Sequence, residues 1–203
     1  MKIICIGRNY RDHAKELGND VPSEPVIFLK PDSSLLKPGQ VFFVPDQFKE
    51  VHHEVELVIR IARNGKHIAK RFAHKYYDEI GLGIDFTARD KQNELKQKGL
   101  PWELAKGFDG SAVISKMTSK SELPPVQEIR FSLKKNGETV QEGITSDMLF
   151  QVDEIIAFVS QYFTLKMGDL IYTGTPAGVG PVHRDDILEG YLQDKKVFTC
   201  KVK

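Results

Sequence analysis

His52-His53-Glu54-Val55-Glu56-Leu57-Val58-Ile59-Arg60-Ile61 is the stretch on which the fold and the chemistry both turn. As a β-strand it places Val55, Leu57, Ile59 and Ile61 on one face and Glu54, Glu56, Val58 and Arg60 on the other. Two carboxylates then lie side by side, with β-carbons roughly 6 to 7 Å apart from a rise of ~3.3 Å per residue. That separation suits two groups gripping one hard cation. The alternative is an edge strand with a wetted polar face, in which both glutamates are ordinary surface groups. A zinc-protease helix fits poorly, because His53-Glu54 calls for a second histidine at position 57, where leucine stands. Oxygen ligands without thiolates favour magnesium, manganese or calcium over zinc or copper.

Outward from that strand, the composition sets bounds. The 203 residues are most economically one domain, spanning 1–203, with a sizeable core. Lys and Arg number 29 against 28 Asp and Glu. No global field is therefore available for nucleic acid or an anionic membrane, and neither partner is expected. Cys5 and Cys200 sit in apolar strand-like runs at opposite ends, which suits buried thiols in a reducing compartment and a cytoplasmic location. No apolar run approaches the ~18 residues of a membrane span.

Along the chain, residues 2–6 read as a buried strand. Arg8-Asn9-Tyr10 then opens a short helix that Asn9 caps and Gly18 closes. His13 and Glu16, three apart, share a face of that helix within hydrogen-bonding reach, although an exposed pair on a solvated helix has the same spacing. Val26–Leu29 and 41–44 read as strands, Asn64-Gly65 as a two-residue hairpin, and Phe72 to Ile80 as helical. Gly81-Leu82-Gly83-Ile84-Asp85-Phe86 carries an aspartate inside an apolar run, costly unless paired, and a metal would explain it.

Residues 87–99 read mainly as a solvated helix face, broken by Leu100-Pro101-Trp102. Lys106–Gly110 reads as a flexible turn. A second hairpin covers 127–142 around Asn136-Gly137. An amphipathic helix spans about 153–163, with Ile155, Ile156, Val159, Tyr162 and Phe163 on its stripe. Gly168 to Pro181 is a strand running into a glycine-rich loop, able to meet an anionic ligand with backbone amides and the Thr173 and Thr175 hydroxyls. It lacks the ending of a nucleotide phosphate loop. A strand at 196–202 closes the chain.

In order, the motifs are Gly7-Arg8-Asn9-Tyr10, Asp12-His13, Phe28-Leu29-Lys30-Pro31, His53-Glu54-Val55-Glu56-Leu57, Asp85-Phe86-Thr87-Ala88-Arg89-Asp90, Leu104-Ala105-Lys106, and Gly168-Asp169 with Thr173-Gly174-Thr175-Pro176. Over nearly the whole chain this order resembles the fumarylacetoacetate hydrolase family, and within it the short acylpyruvate hydrolases and oxaloacetate decarboxylases. The resemblance implies an α+β, β-rich mixed β-roll with a short N-terminal lid helix over residues 8–18, assembled as a homodimer. It implies Mg2+ or Mn2+ on Glu54, Glu56 and Asp85. It also implies a water-activating His13–Glu16 dyad, Lys106 beside developing negative charge, and Arg8, Tyr10, Arg89, Gln92 and Thr175 around the substrate. The substrate expected is a small 2-oxo acid, cleaved as an acylpyruvate or decarboxylated as oxaloacetate, with isomerisation of an unsaturated 2-oxo diacid as the alternative. A non-catalytic metal-stabilised module is the remote reading. Where many relatives carry serine after the lysine, this chain has Gly107.

Overall fold

The computed structural model describes residues 1–16 and 21–203. The decisive stretch is not one strand but two, Val51–His53 and Val55–Ile61, separated at Glu54. Val55–Ile61 lies in the middle of the largest sheet, between Leu170–Tyr172 and Tyr77–Asp85, and pairs antiparallel with both. The edge-strand alternative therefore fails, and Glu54 and Glu56 are only 5% and 2% exposed.

The sheet continues through Ile3–Gly7 to Val26–Lys30 on one side, and through Ala112–Ile114 to Leu35–Leu36 on the other. Its pairings are mixed, with Ile3–Gly7 parallel to Leu170–Tyr172 and the short Leu35–Leu36 parallel to Ala112–Ile114. A second sheet runs in the order Glu138–Ile144, Arg130–Lys135, Ile187–Leu192, Lys195–Val202 and Val41–Phe42. A third, small sheet joins Gly180–Pro181, Val51–His53 and Thr87–Ala88. This strand-rich, mixed architecture with few helices is the β-roll expected.

Alternation along the central strand assigns its faces as the sequence implies. Val55, Leu57, Ile59 and Ile61 join the main core with Phe131, Leu188 and Val202 of the second sheet, whereas Val58 packs on the opposite face with Cys5, Ala112 and Tyr172. Glu54 and Glu56 belong to that second face. Gly81 and Gly83 serve close packing there. A methyl on Gly83 would stand 2.4 Å from the Val113 carbonyl oxygen, and one on Gly81 would stand 2.6 Å from Met117 Sδ. Gly83 is also the residue opposite Glu56, which leaves the carboxylate room.

Several expectations need correction. The 72–80 stretch is not helical: one turn at Lys70–Ala73 gives way to the Tyr77–Asp85 strand. Asn64-Gly65 does not join two strands. It lies in a 62–76 connection, where Gly65 bridges to Leu165 and Asn64 Oδ1 accepts from the Met167 amide. The hairpin at Asn136-Gly137 does form, with φ of 54° and 88° at the two turn residues. The amphipathic helix runs Val152–Tyr162 and buries Ile155, Ile156 and Val159, but Tyr162 is exposed. Gly18, the expected helix stop, and the end of the expected lid lie outside the described residues. Within them, Arg11–Glu16 is helical. No described helix is long and apolar enough to cross a membrane. Cys5 and Cys200 are both buried free thiols.

Candidate metal site

Two neighbouring strands break at the same level, after His53 and after Asp85, and the breaks deliver the acidic groups. The Asp85 amide donates to the Glu54 carbonyl at 2.8 Å, so these residues face each other across the ladder, with Glu56 one pleat further along. Glu54, Glu56 and Asp85 present carboxylate oxygens all within 4.8 Å of one another, and all three are buried. Such a cluster is unstable by itself, because each charge is stripped of water and repelled by the other two.

Three cations answer it. Lys106 Nζ donates to Glu54 Oε2 at 2.9 Å, Asp85 Oδ2 at 2.6 Å and Thr87 Oγ1 at 2.5 Å. The Arg89 guanidinium pairs with Glu54 Oε1 and also donates to Gln92 Oε1 at 2.6 Å. Lys30 Nζ lies 2.7 Å from Asp85 Oδ1 and donates to the Ser111 hydroxyl and carbonyl. Burial raises the Glu54 carboxyl, but Lys106 and Arg89 overcome it and hold the group well below the usual carboxylate range. Burial disfavours the Lys106 ammonium, yet Asp85 and Glu54 raise it above an ordinary lysine. Among the described residues Glu56 makes no such ion pair. Burial, Asp85 and Glu54 together push its carboxyl well up, and its Oε2 accepts from the Gly174 amide at 2.8 Å.

This arrangement fits a hard divalent cation. The donors are carboxylate oxygens alone, and among the described residues no cation pairs with Glu56, whose carboxyl is pushed up by burial and by its two acidic neighbours. The ammonium of Lys106 stands among the carboxylates where positive charge is required. Lys106 is accordingly no part of a flexible turn: it ends the Glu103–Lys106 helix and is buried, with its carbonyl capped by Ser111 Oγ at 2.8 Å and by Lys30. With glycine following Lys106, a methyl there would meet the Glu103 carbonyl oxygen at 3.0 Å, so the backbone is tight at that point.

The N-terminal helix supplies the second group. His13 is buried, its Nδ1 is 3.4 Å from Glu16 Oε2, and burial lowers its pKa below the ordinary 6.5 despite the charges of Glu54 and Glu16. Glu16 also accepts from the Gly178 amide at 3.1 Å, which ties the helix to the glycine-rich loop. That loop is anchored further by Gln141. Its amide donates to Thr175 Oγ1 at 2.8 Å, while its oxygen accepts from the Val55 amide at 3.0 Å and lies 2.9 Å from His53 Nδ1. Among the described residues, Tyr10 OH and Arg8 Nε are buried without hydrogen-bond partners. Thus the acidic triad, Lys106, Arg89 and Gln92 form one connected cluster. His13 and Tyr10 lie near enough to feel its charges, and Thr175 is linked through Gln141.

Sequence reading passed over two residues here. Lys30 closes the apolar run Val-Ile-Phe-Leu-Lys, and a lysine at the end of an otherwise apolar strand is the signal that marks it. Gln141 carries no such signal, since its contacts come from positions distant in the chain.

Gly174 fixes the amide that meets Glu56. Its φ of +98° and a methyl only 2.6 Å from Asn9 Cβ make Gly174→Ala a strained replacement. It should destabilise the fold by about 1–3 kcal/mol, measured by urea unfolding, and weaken divalent-ion binding in parallel.

A family model described as fumarylacetoacetate hydrolase, C-terminal, matches residues 2–203. The mitochondrial oxaloacetate tautomerase FAHD1 of Mus musculus is 44% identical over 201 residues, covering 99% of this chain and 91% of that protein. The fumarylpyruvate hydrolase of Pseudomonas aeruginosa, solved with Mn2+ and pyruvate, has a TM-score of 0.93 at 33% identity, covering 100% of this chain and 89% of that one. The 2-hydroxyhepta-2,4-diene-1,7-dioate isomerase of Mycobacterium marinum has a TM-score of 0.86 at 32% identity, covering 99% and 73%.

Proposed function

The chain belongs to the fumarylacetoacetate hydrolase family, and from that premise we propose that it is a Mg2+- or Mn2+-dependent enzyme acting on small 2-oxo acids. The reading we favour is hydrolytic carbon–carbon cleavage of acylpyruvates releasing pyruvate, with decarboxylation of oxaloacetate at the same site. The observation that carries it is the pairing of a buried three-carboxylate cluster with a His13–Glu16 dyad.

Glu54, Glu56 and Asp85 would hold the ion, which when bound supplies Lewis-acid polarisation of a 2-oxo acid. His13, kept neutral by burial and oriented by Glu16, takes a proton from water directed at the distal carbonyl of an acylpyruvate. Lys106 places an ammonium beside the oxygen on which negative charge develops. Arg89 and Gln92, already bonded to each other, orient the substrate carboxylate together with Thr175, while Arg8 and Tyr10 line the rest of the substrate. Oxaloacetate needs no water and loses carbon dioxide from the same bound geometry.

A second reading is keto–enol tautomerisation or isomerisation of a 2-oxo diacid. It is favoured by the likeness to the mouse oxaloacetate tautomerase and the mycobacterial isomerase. The test is pyruvate formation from acetylpyruvate and from oxaloacetate, with enol decay of oxaloacetate followed alongside, each with and without added Mg2+ or Mn2+. Ion-dependent pyruvate release from acetylpyruvate supports hydrolysis; ion-dependent enol decay alone favours tautomerisation. No turnover of any of these would leave a non-catalytic module. A homodimer and a cytoplasmic location belong to this proposal, checked by light scattering and by fractionation.

The acid limb of hydrolysis follows from His13. A base with a pKa below 6.5 stays unprotonated further into acid, so acetylpyruvate hydrolysis should persist below the pH at which an ordinary imidazole is half protonated. The same lowered value makes stability fall as pH drops through 6.5, because the unfolded chain takes up the proton first. A pH–rate profile with its acid limb at or above 6.5 contradicts the assignment.

A further inference from the structure

Lys106, Arg89 and Lys30 each face a carboxylate of the cluster, but two further cations beside them do not. Among the described residues neither Lys96 nor Arg8 makes an ion pair, and Arg8 Nε is buried with nothing to donate to. Both are held in place. Lys96 lies on the Arg89–Gln97 helix on the face that carries Arg89 and Gln92, at spacings of three and four residues. It stands about 10 Å further along the axis than Arg89. Its ammonium rests over the Trp102 ring at 5.5 Å.

Trp102 packs on Phe28 with centroids 5.8 Å apart, and Lys106 Nζ sits 5.0 Å from the Phe28 ring. One aromatic wall therefore runs from Lys96 to Lys106. The backbone just before Arg8 lies on it too, since a methyl at Gly7 would touch Trp102 at 3.7 Å. Arg8 itself has φ of +59°, an unusual conformation for a non-glycine residue.

A 2-oxo acid seated at the triad has its first carboxylate and keto oxygen provided for by the ion, Arg89 and Gln92. What remains beyond them is surplus positive charge. Burial, with Arg89 and Arg8 adding to it, lowers the Lys96 ammonium to about 8, the behaviour of a cation short of a countercharge.

Resting on the functional reading above, we propose that Lys96 and Arg8 form a subsite for a second carboxylate. The site then prefers 2-oxo dicarboxylates to 2-oxo monocarboxylates of equal length. The binding gain comes from a charge-assisted contact that a methyl group in the same place cannot make.

The test uses the Mn2+-loaded full chain and two five-carbon ligands, 2-oxoglutarate and 2-oxovalerate, which differ only by a carboxylate in place of a methyl. Neither is a β-keto acid nor an acylpyruvate, so neither is consumed by the proposed reactions. Calorimetry should find 2-oxoglutarate bound more tightly by the wild type. Lys96→Met should weaken it about tenfold or more while 2-oxovalerate is unchanged, and Lys96→Arg should restore it. In turnover, Lys96→Met should raise KM for oxaloacetate more than it lowers kcat. Unfolding midpoints of the variants keep a folding defect separate. Equal weakening of both ligands, or of neither, overturns the subsite while the functional reading stands. Absence of binding by either ligand to the wild type overturns both.

Discussion

Asp85→Ala is expected to lose divalent-ion binding and several kcal/mol of stability together, whereas Glu56→Gln loses the ion and keeps the fold. The difference lies in what each carboxylate neutralises. Asp85 faces Lys106 at 2.6 Å and Lys30 at 2.7 Å, and those side chains are only 3% and 0% exposed. Removing Asp85 strands positive charge on two lysines that are almost wholly buried, and breaking a buried pair in this way costs about 3–5 kcal/mol. Glu56 contacts neither lysine within ion-pair distance, and its carboxyl is already pushed up by burial and by its two acidic neighbours. Glutamine there relieves that repulsion and still accepts from the Gly174 amide. Its stability should therefore match or exceed the wild type in metal-free buffer. Urea unfolding with chelator, beside calorimetry with Mn2+, reads both quantities. Equal destabilisation by the two changes would mean that the lysines are not held as described.

That contrast also marks how far the sequence could be read. Alternation along 55–61 predicts the faces correctly, because a strand between two packed layers obeys the pleat without exception. Its interruption at Glu54 is invisible in the pattern, since it arises where the chain passes from the large sheet to the small one. The 72–80 stretch misleads for a related reason. Tyr77 and Ile80 are both buried although three residues apart, because the pairing with Val55–Ile61 shifts register between Arg60 and Ile61, and that bulge mimics helical spacing. Asn64-Gly65 carries a hairpin's local chemistry, but pairing with Leu165 and Met167 overrides it.

At the site, the three acids were legible as ligand candidates because carboxylates in apolar runs demand an explanation. Lys106 was legible as a residue but not in its setting, for its burial depends on a four-residue helix that begins only after the Leu100-Pro101-Trp102 break. The cations that balance the cluster come from three separate segments, and only folding brings them to one point.

The second large effect concerns the dyad and separates the two chemistries proposed for one site. His13→Ala should lower pyruvate release from acetylpyruvate by about 10²–10⁴-fold, the range for removal of a general base. Oxaloacetate decarboxylation should fall by no more than about tenfold, because no water is activated in that step. Glu16→Gln discriminates further. It keeps an acceptor for the Gly178 amide, which holds the helix to the glycine-rich loop, but removes the charge that orients and supports the imidazole. Hydrolysis should therefore drop in Glu16→Gln by less than in His13→Ala, with the acid limb of its pH profile displaced to lower pH, since the Glu16 carboxylate raises the His13 pKa against burial. Parallel kcat measurements on the two substrates, for both variants loaded with the same ion, read this out. If His13→Ala depresses both reactions equally, His13 is holding substrate or structure, and the water must be activated elsewhere.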